Sequence, residues 1–208
     1  MIRSVRRVTG AAGVVTLAAL GVTVRASAQI RVDITAGARY TTRLVHDVIV
    51  TPFDVRAAVA PALAVSASLP LDPPWRLAGV LDLSESTVGR YDAGGGTAPI
   101  TGVTTVTLGL GLARPLKPWL DGRVALGVIK YFPAQRTGLF QDGGPFFPFG
   151  QLAFDAAPPF AARLGLALEL RYDIHKFTTP ALRDEGFTAS RVIHRVALGI
   201  RVAVRRGP

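Results

Sequence analysis

The chain has 208 residues, a formal net charge of +10 and no cysteine. Its hydrophobic fraction of 49 % is too high for a disordered chain, and its 22 glycines and 15 prolines interrupt it too often for a helical bundle. The length allows one domain, or two at most. Apart from the pairs Arg6-Arg7 and Arg205-Arg206, the positive charges are spread singly, without the dense basic patch that nucleic acids require, so we expect no nucleic-acid partner.

The N-terminus has the three parts of a secretory signal peptide. A basic segment comes first and carries Arg3, Arg6 and Arg7. Residues 8–24 then contain no charge, and Ala26-Ser27-Ala28 provides the small residues of a cleavage site. We expect residues 1–28 to be removed and residues 29–208 to form the mature domain. An uncleaved membrane anchor is the alternative, because this apolar run is at the short end for spanning a bilayer.

The rest of the chain alternates apolar residues with small or charged ones at a period of two, which predicts β-strands. Eight such segments occur, at residues 30–40, 55–69, 75–84, 103–113, 120–130, 147–157, 161–178 and 191–204. In the seventh, Leu168 and Leu170 lie on one face, whereas Glu169 and Arg171 lie on the other. Most segments have ten or more residues, the length of a tilted membrane-spanning strand.

The predicted connections are of two kinds, and they alternate along the chain. Three short turns contain proline, at residues 70–74, 114–118 and 157–159. Four longer, polar or glycine-rich loops lie at residues 41–54, 87–102, 132–146 and 176–190. This alternation is typical of an up-and-down barrel with its short turns on one side of a membrane and its loops on the other.

Aromatic residues near both ends of the strands indicate two belts at the membrane interfaces. Proline ends a strand and fixes a short turn, and an aromatic residue follows it at once. The belt on the turn side is predicted to contain Trp75, Trp119 and Phe160. The belt on the loop side is predicted to contain Tyr40, Tyr131 and Tyr172.

Charged residues share the strand face that carries small side chains. If the apolar face contacts lipid, these charges point into a barrel interior just wide enough for side chains, where they have to pair. We therefore predict an internal charge network in place of an open pore. Its members are Arg31, Asp33, Arg76, Asp82, Asp121, Arg123, Glu169, Arg171, Asp173 and Arg201. In the alternative, a soluble barrel, the same residues face water.

These features resemble the small outer-membrane barrels of the OmpA/OmpX type, from residue 29 to about residue 204. The signal peptide, the eight alternating strands, the proline–aromatic turns and the closing strand HRVALGIRVAV carry the resemblance. It implies an all-β, eight-stranded antiparallel transmembrane barrel that contacts outer-membrane lipid and lipopolysaccharide and is inserted by the outer-membrane assembly machinery. Such barrels usually finish on an aromatic residue, whereas Arg205-Arg206-Gly207-Pro208 follows the last strand here.

The sequence contains no convincing catalytic, metal or cofactor motif. Lipid A deacylases of this class carry His-x-Ser on a strand, but Lys176 and Phe177 follow His175 here. We therefore expect a structural role in the envelope or a surface-interaction role through the loops, whose ligands the residues do not indicate. One alternative is a lipid A-modifying enzyme with its site around His175 and His194. The other is a small pore or ligand carrier, permitted by the small residues on the second and fourth strands.

Overall fold

A computed structural model describes residues 30–47, 52–187 and 190–204. The predicted signal peptide and the last four residues lie outside these ranges. The strands are β1 (Arg31–Thr41), β2 (Val45–Asp47), β3 (Phe53–Ala57), β4 (Ala60–Pro70), β5 (Arg76–Asp92), β6 (Thr97–Lys117), β7 (Leu120–Pro133), β8 (Phe146–Ala156), β9 (Leu166–Phe177) and β10 (Arg191–Val204). Two short helices, α1 (Pro159–Arg163) and α2 (Pro180–Asp184), and a 3-10 turn (Gly138–Phe140) lie between strands. No helix within the described residues is long and apolar enough to cross a membrane.

Eight of these strands form a closed antiparallel barrel. Strands β4 to β10 pair each with the next, and β1 closes the ring by pairing with both β4 and β10. Closure pairs the backbone hydrogen-bonding groups around the whole ring, so the barrel has no free sheet edge. The predicted fold, an eight-stranded antiparallel up-and-down barrel, is confirmed. We call its two ends the turn end, which carries the proline turns, and the loop end.

The loop end differs from the sequence prediction because strands continue where loops were expected. The predicted loop at residues 87–102 is wrong: β5 and β6 run through most of it, and residues 93–96 alone make the turn. Gly95 adopts a φ of 87° there, which glycine tolerates. The predicted second strand is also interrupted. Its first part, β3, pairs with β2 and with the end of β5, and β4 forms the barrel wall.

The seventh predicted strand starts too early. Residues 161–165 were expected to be extended, but α1 occupies this place and β9 begins only at Leu166. Pro159 suits the first helical turn, because backbone N–H groups there have no acceptor within the helix and the N–H that proline lacks is not needed. Gly165, with a φ of 71°, reverses the chain after the helix. A proline–glycine pair of helix signals therefore overrides the period-two pattern at these residues.

Small residues on the inner face let the strands approach closely. Gly37 of β1 lies opposite Gly199 of β10, and a Cβ on Gly37 would stand 2.1 Å from the carbonyl oxygen of Leu198. Contacts this short are sterically forbidden, so this position requires glycine. Alanines and serines on the inner faces of β4 and β5 leave further space, which arginine side chains from other strands fill.

Candidate functional site: the barrel interior and the loop end

The middle of the barrel is filled by ionic side chains centred on Asp82 of β5, which is completely buried. Arg39 of β1 donates two hydrogen bonds to the Asp82 carboxylate, one of them from Nη2 to Oδ2 at 2.7 Å. Arg171 of β9 donates another to the same carboxylate. Asp173 and Arg195 complete this group, which we call the ionic layer; Nη1 of Arg195 lies 3.9 Å from Oδ2 of Asp173. Four strands are thereby joined across the interior.

A second ionic group lies between this layer and the turn end. Arg171 also contacts Glu169, with Nε 2.9 Å from Oε1, and this contact links the two groups. Arg201 donates a hydrogen bond of 2.8 Å to Asp155, and Arg76 donates one of 2.8 Å to Asp121. The remaining members are Arg31, Asp33 and Arg123. Exposure increases toward the turn end, where Arg31 is 36 % exposed at its side chain.

The structure therefore places all ten residues of the predicted network on the inner face, and it adds residues that the prediction omitted. Arg39, Asp155 and Arg195 are the charged additions, and Gln151 donates a hydrogen bond of 2.9 Å to Asp173. Each of the four occupies the polar register of its strand, so the period-two pattern was the signal for them. Arg39 and Arg195 both contact Asp82, at the centre of the network. The prediction, which left out both arginines, therefore did not locate this centre.

Arg195 is bound differently from the other buried arginines. Its nearest carboxylate oxygens are 3.9 Å away, while its guanidinium donates hydrogen bonds of 3.2 and 3.3 Å to the hydroxyls of Thr105 and Thr107. Buried charges require such partners, because burying an unpaired charge in a protein interior costs roughly several kcal/mol of stability. The threonines of β6 thus complete the ionic layer.

Above the ionic layer, apolar and aromatic side chains close the loop end. We call this group the aromatic plug: Ile129, Tyr131, Phe140, Phe177, Leu182 and Ile193, all buried. Phe140 comes from the 3-10 turn and Leu182 from α2, so two of the long loops fold inward over the barrel. The rings of Tyr131 and Phe177 meet edge to face, with centroids 5.4 Å apart. The plug was not predicted, because the sequence pattern of these loops indicated polar connections outside the barrel.

The placement of Tyr131 corrects the predicted aromatic belt. Tyr131 is 4 % exposed and lies inside the plug, where its hydroxyl is 2.7 Å from Nε2 of His175. Odd-numbered residues of β7 face inward, and the prediction ignored this register. The other belt residues lie on the outside: Tyr40, Trp75, Trp119, Phe160 and the half-buried Tyr172. At the turn end, Arg114 and Lys117 lie 5.1 and 5.5 Å from the ring centroids of Trp75 and Trp119.

The two histidines of the enzymatic alternative lie on opposite sides of the barrel wall. His175 points inward to Tyr131, whereas Nδ1 of His194 is 2.6 Å from the hydroxyl of Tyr172, which lies on the outer register. Side chains on opposite faces of one sheet cannot act on one substrate atom. The described residues also contain no cluster of three or more residues that could hold a metal ion.

An exposed ionic cluster on β2 and β3 projects beyond the barrel at the loop end. Asp54 accepts hydrogen bonds from Arg56, from Arg43 and from Nδ1 of His46, the last at 2.7 Å. Partial burial opposes ionisation of Asp54, but these hydrogen bonds outweigh it and lower the pKa of Asp54 to about 2. The cluster thus joins Arg43 and β2 to β3, and β3 in turn pairs with the end of β5.

The outer face of the barrel is apolar and exposed. On β6 and β7 the outward pairs are Leu108 with Val128, Leu110 with Leu126, and Leu112 with Val124. The side chain of Leu126 is 71 % exposed. Charged residues stand at the limits of this band, Arg114 toward the turn end and Lys130 toward the loop end. The strand faces thus have the polarity predicted for a membrane barrel: ionic inside and apolar outside.

Comparison with known proteins gives fold-level likeness alone. No protein-family model and no curated protein matches the chain. Among solved structures, it is similar to the attachment invasion locus protein Ail of Yersinia pestis, with 7 % identity, a TM-score of 0.47, and coverage of 84 % of this chain and 97 % of Ail. It is also similar to the outer membrane protein OprG of Pseudomonas aeruginosa, with 10 % identity, a TM-score of 0.45, and coverage of 85 % and 96 %.

A third similar structure is the outer membrane protein AlkL, with 10 % identity, a TM-score of 0.47, and coverage of 90 % of this chain and 96 % of AlkL. All three are outer-membrane proteins, the class that the sequence resembles. Because the TM-scores lie below 0.5, these likenesses carry no inference about the role of the chain. The barrel itself follows from the strand pairing.

Proposed function

We propose that this protein is an integral outer-membrane barrel with a filled interior, which stabilises the envelope or presents its loops to partners. The exposed apolar band carries the proposal. Monomeric soluble proteins rarely expose a contiguous apolar patch of more than a few hundred Å². Here leucine, valine or isoleucine side chains are exposed on the outer face of each barrel strand, and charges face inward. Hydrocarbon is the solvent that suits such a surface.

The filled interior supports a structural or surface-interaction role over a pore. Two cavities that the described residues line inside the barrel have volumes of about 20 and 10 Å³. Each has room for about one water molecule. Between them the ionic layer spans the interior, and the aromatic plug closes the loop end. A solute would have to displace both groups to pass.

Fractionation of cells that express the full chain tests the placement. We expect the protein in the outer-membrane fraction, resistant to extraction with carbonate and urea, and faster in gel migration unboiled than boiled, because a folded barrel stays compact in detergent. Recovery in the soluble periplasmic extract, with no change of migration on boiling, would contradict the proposal.

Conductance in a planar bilayer tests the filled interior separately. A membrane that contains the purified protein should conduct no more than a protein-free membrane. Regular single-channel steps would favour the small pore instead. They would leave the outer-membrane placement intact, so the two parts of the proposal can fail independently.

A further inference from the structure

A cavity of about 370 Å³ lies at the loop end, outside the aromatic plug. Apolar side chains, those of Leu44, Val45, Phe177, Leu182 and Phe187, line about half of it. The other half, which we call its rim, is lined by His46, Gly186, Ser190 and Arg191. The volume falls in the range of ligand-binding pockets, which is roughly 300–1,000 Å³, and it far exceeds the two interior cavities.

The cavity exists because the neighbouring strands β1 and β10 separate at this end of the barrel. The ladder between β1 and β10 ends at Thr41 and Arg195. Beyond it β10 continues to Arg191, paired on its other side with Phe177 of β9. The chain after β1 instead turns toward β3, where the backbone N–H of Leu44 donates to the carbonyl oxygen of Val55 at 2.8 Å. The barrel wall is therefore open beside Arg191.

The charges at the rim favour an anionic ligand. Arg191 takes part in no ion pair with the residues that the structure describes, and its side chain is half-buried beside the opening. His46 is already engaged by Asp54, whose charge is further balanced by Arg43 and Arg56. A guanidinium beside a cavity that is apolar on one side matches a carboxylate that carries a hydrocarbon chain, because the fork of N–H donors fits both carboxylate oxygens.

We propose that this cavity binds an anionic amphiphile of medium chain length, such as a fatty acid of about ten carbons. The cavity volume lies near the lower end of the range for ligand pockets, so we set the ligand at roughly a dozen non-hydrogen atoms. The hydrocarbon chain packs against Phe177, Leu182 and Phe187, and the carboxylate accepts hydrogen bonds from Arg191. The site opens at the loop end, so the ligand arrives from that side and need not cross the ionic layer.

Equilibrium dialysis of labelled decanoate against the full-length protein in phospholipid nanodiscs tests this site. Nanodiscs are needed because detergent monomers have the same chemistry as the proposed ligand, and protein-free nanodiscs give the uptake by lipid alone. We expect one saturable site per protein above that background. Arg191→Gln should weaken decanoate binding about tenfold or more, the usual effect of losing a charge-assisted hydrogen bond, while decanol binding changes little.

Two further variants separate the cavity from general surface charge. Ser190→Trp places a large ring in the opening from an exposed position and should abolish the binding of both decanoate and decanol. Arg183→Gln, on the exposed face of α2, is the matched control and should bind decanoate as the natural chain does. Unchanged gel migration on boiling would confirm that each variant is folded.

Three results would overturn the proposal: uptake equal to that of empty nanodiscs, equal decanoate affinity of the natural chain and Arg191→Gln, or unchanged binding by Ser190→Trp. A chain that fails to enter nanodiscs at all would instead contradict the membrane placement proposed above. The two failures are therefore distinguishable.

Discussion

The ionic layer and the aromatic plug fill the same barrel in different ways. The ionic layer is built from strand residues far apart in sequence, so that Arg39, Asp82 and Arg171 meet only once the ring has closed. The plug combines the strand ends with side chains from loops, such as Phe140. We infer that the layer ties the barrel wall together, whereas the plug mainly holds the loops. Substitutions in the two regions should therefore have different consequences.

The largest effect is expected from Asp82→Asn, which breaks the ionic layer. The variant leaves Arg39 and Arg171 buried without their shared counter-charge, and breaking a buried pair in this way costs about 3–5 kcal/mol. Urea unfolding in lipid vesicles, followed by the fluorescence of Trp75 and Trp119, measures the change in the free energy of unfolding. We expect the whole barrel to lose stability.

Asp121→Asn is the matched control for that substitution. Its carboxylate pairs with Arg76 near the turn end, where solvent reaches both side chains. Pairs of this kind contribute about 0–1 kcal/mol. Equal destabilisation by the two variants would show that the layer has no special part in holding the wall.

Phe140→Ala should destabilise the loop end more than the barrel. The ring is fully buried, and truncating a buried phenylalanine costs about 3–5 kcal/mol, here shared with a loop that can relax. We expect faster amide exchange at residues 138–140 and faster trypsin cleavage after Arg136, while gel migration stays that of a folded barrel. Phe146→Ala, which alters a ring that is 58 % exposed, should change neither rate. Global unfolding by Phe140→Ala would remove the distinction between the regions.

Gly37→Ala tests the close approach of β1 and β10 beside the ionic layer. The added methyl group meets the backbone of Leu198, so the strands have to separate, at an expected loss of about 1–3 kcal/mol. Gly79→Ala is the control, since a Cβ at Gly79 has no atom within 4 Å. Urea midpoints of the two variants give the comparison, and equal midpoints would contradict the packing described for β1.

The smallest effect concerns pH and the exposed cluster around Asp54. The pKa of Asp54 is about 2 in the folded chain, below its ordinary value of 3.8, because hydrogen bonds from Arg56, His46 and Arg43 outweigh its partial burial. A lowered folded pKa stabilises the fold above the unfolded value, and that stabilisation is lost as the pH falls from about 4 through about 2. Pepsin cleavage of the first long loop should therefore accelerate over this window.

Asp54→Asn should remove the acceleration, because the asparagine does not titrate. Asp92→Asn, which alters the exposed pair with Arg90, serves as the control and should leave the pH profile as it is in the natural chain. A profile that is unchanged by Asp54→Asn would assign the effect to other groups.

The period-two pattern was sufficient to predict the barrel and the direction of most side chains. Leu168 and Leu170 face outward and Glu169 and Arg171 face inward, as the alternation requires, because successive residues of a strand point to opposite faces. The same pattern contained Arg39 and Arg195, but it could not show that they meet at Asp82. That contact depends on which strands face each other across the closed ring.

The loop end could not be predicted in the same way. Phe140 and Leu182 lie in segments without strand periodicity, and their burial arises from tertiary packing over the barrel mouth. Tyr131 was misplaced because its position near a loop suggested a membrane belt, although its register pointed inward. The helix at Pro159 shows the opposite case, because proline at its start and glycine after its end are local helix signals, whereas the prediction followed the alternation alone.

The central claim is that lipid, and not a protein interior, contacts the outward leucine and valine rows. The chain has no cysteine, so single cysteines at Leu110 and Leu198 can carry nitroxide labels without interference. In vesicles, we predict that oxygen relaxes both labels strongly and that a water-soluble nickel chelate does not, unlike a label at Thr97 in the exposed turn region. Strong relaxation of the Leu110 and Leu198 labels by the nickel chelate, or protection from both reagents as expected for the buried Ala64, would contradict the claim.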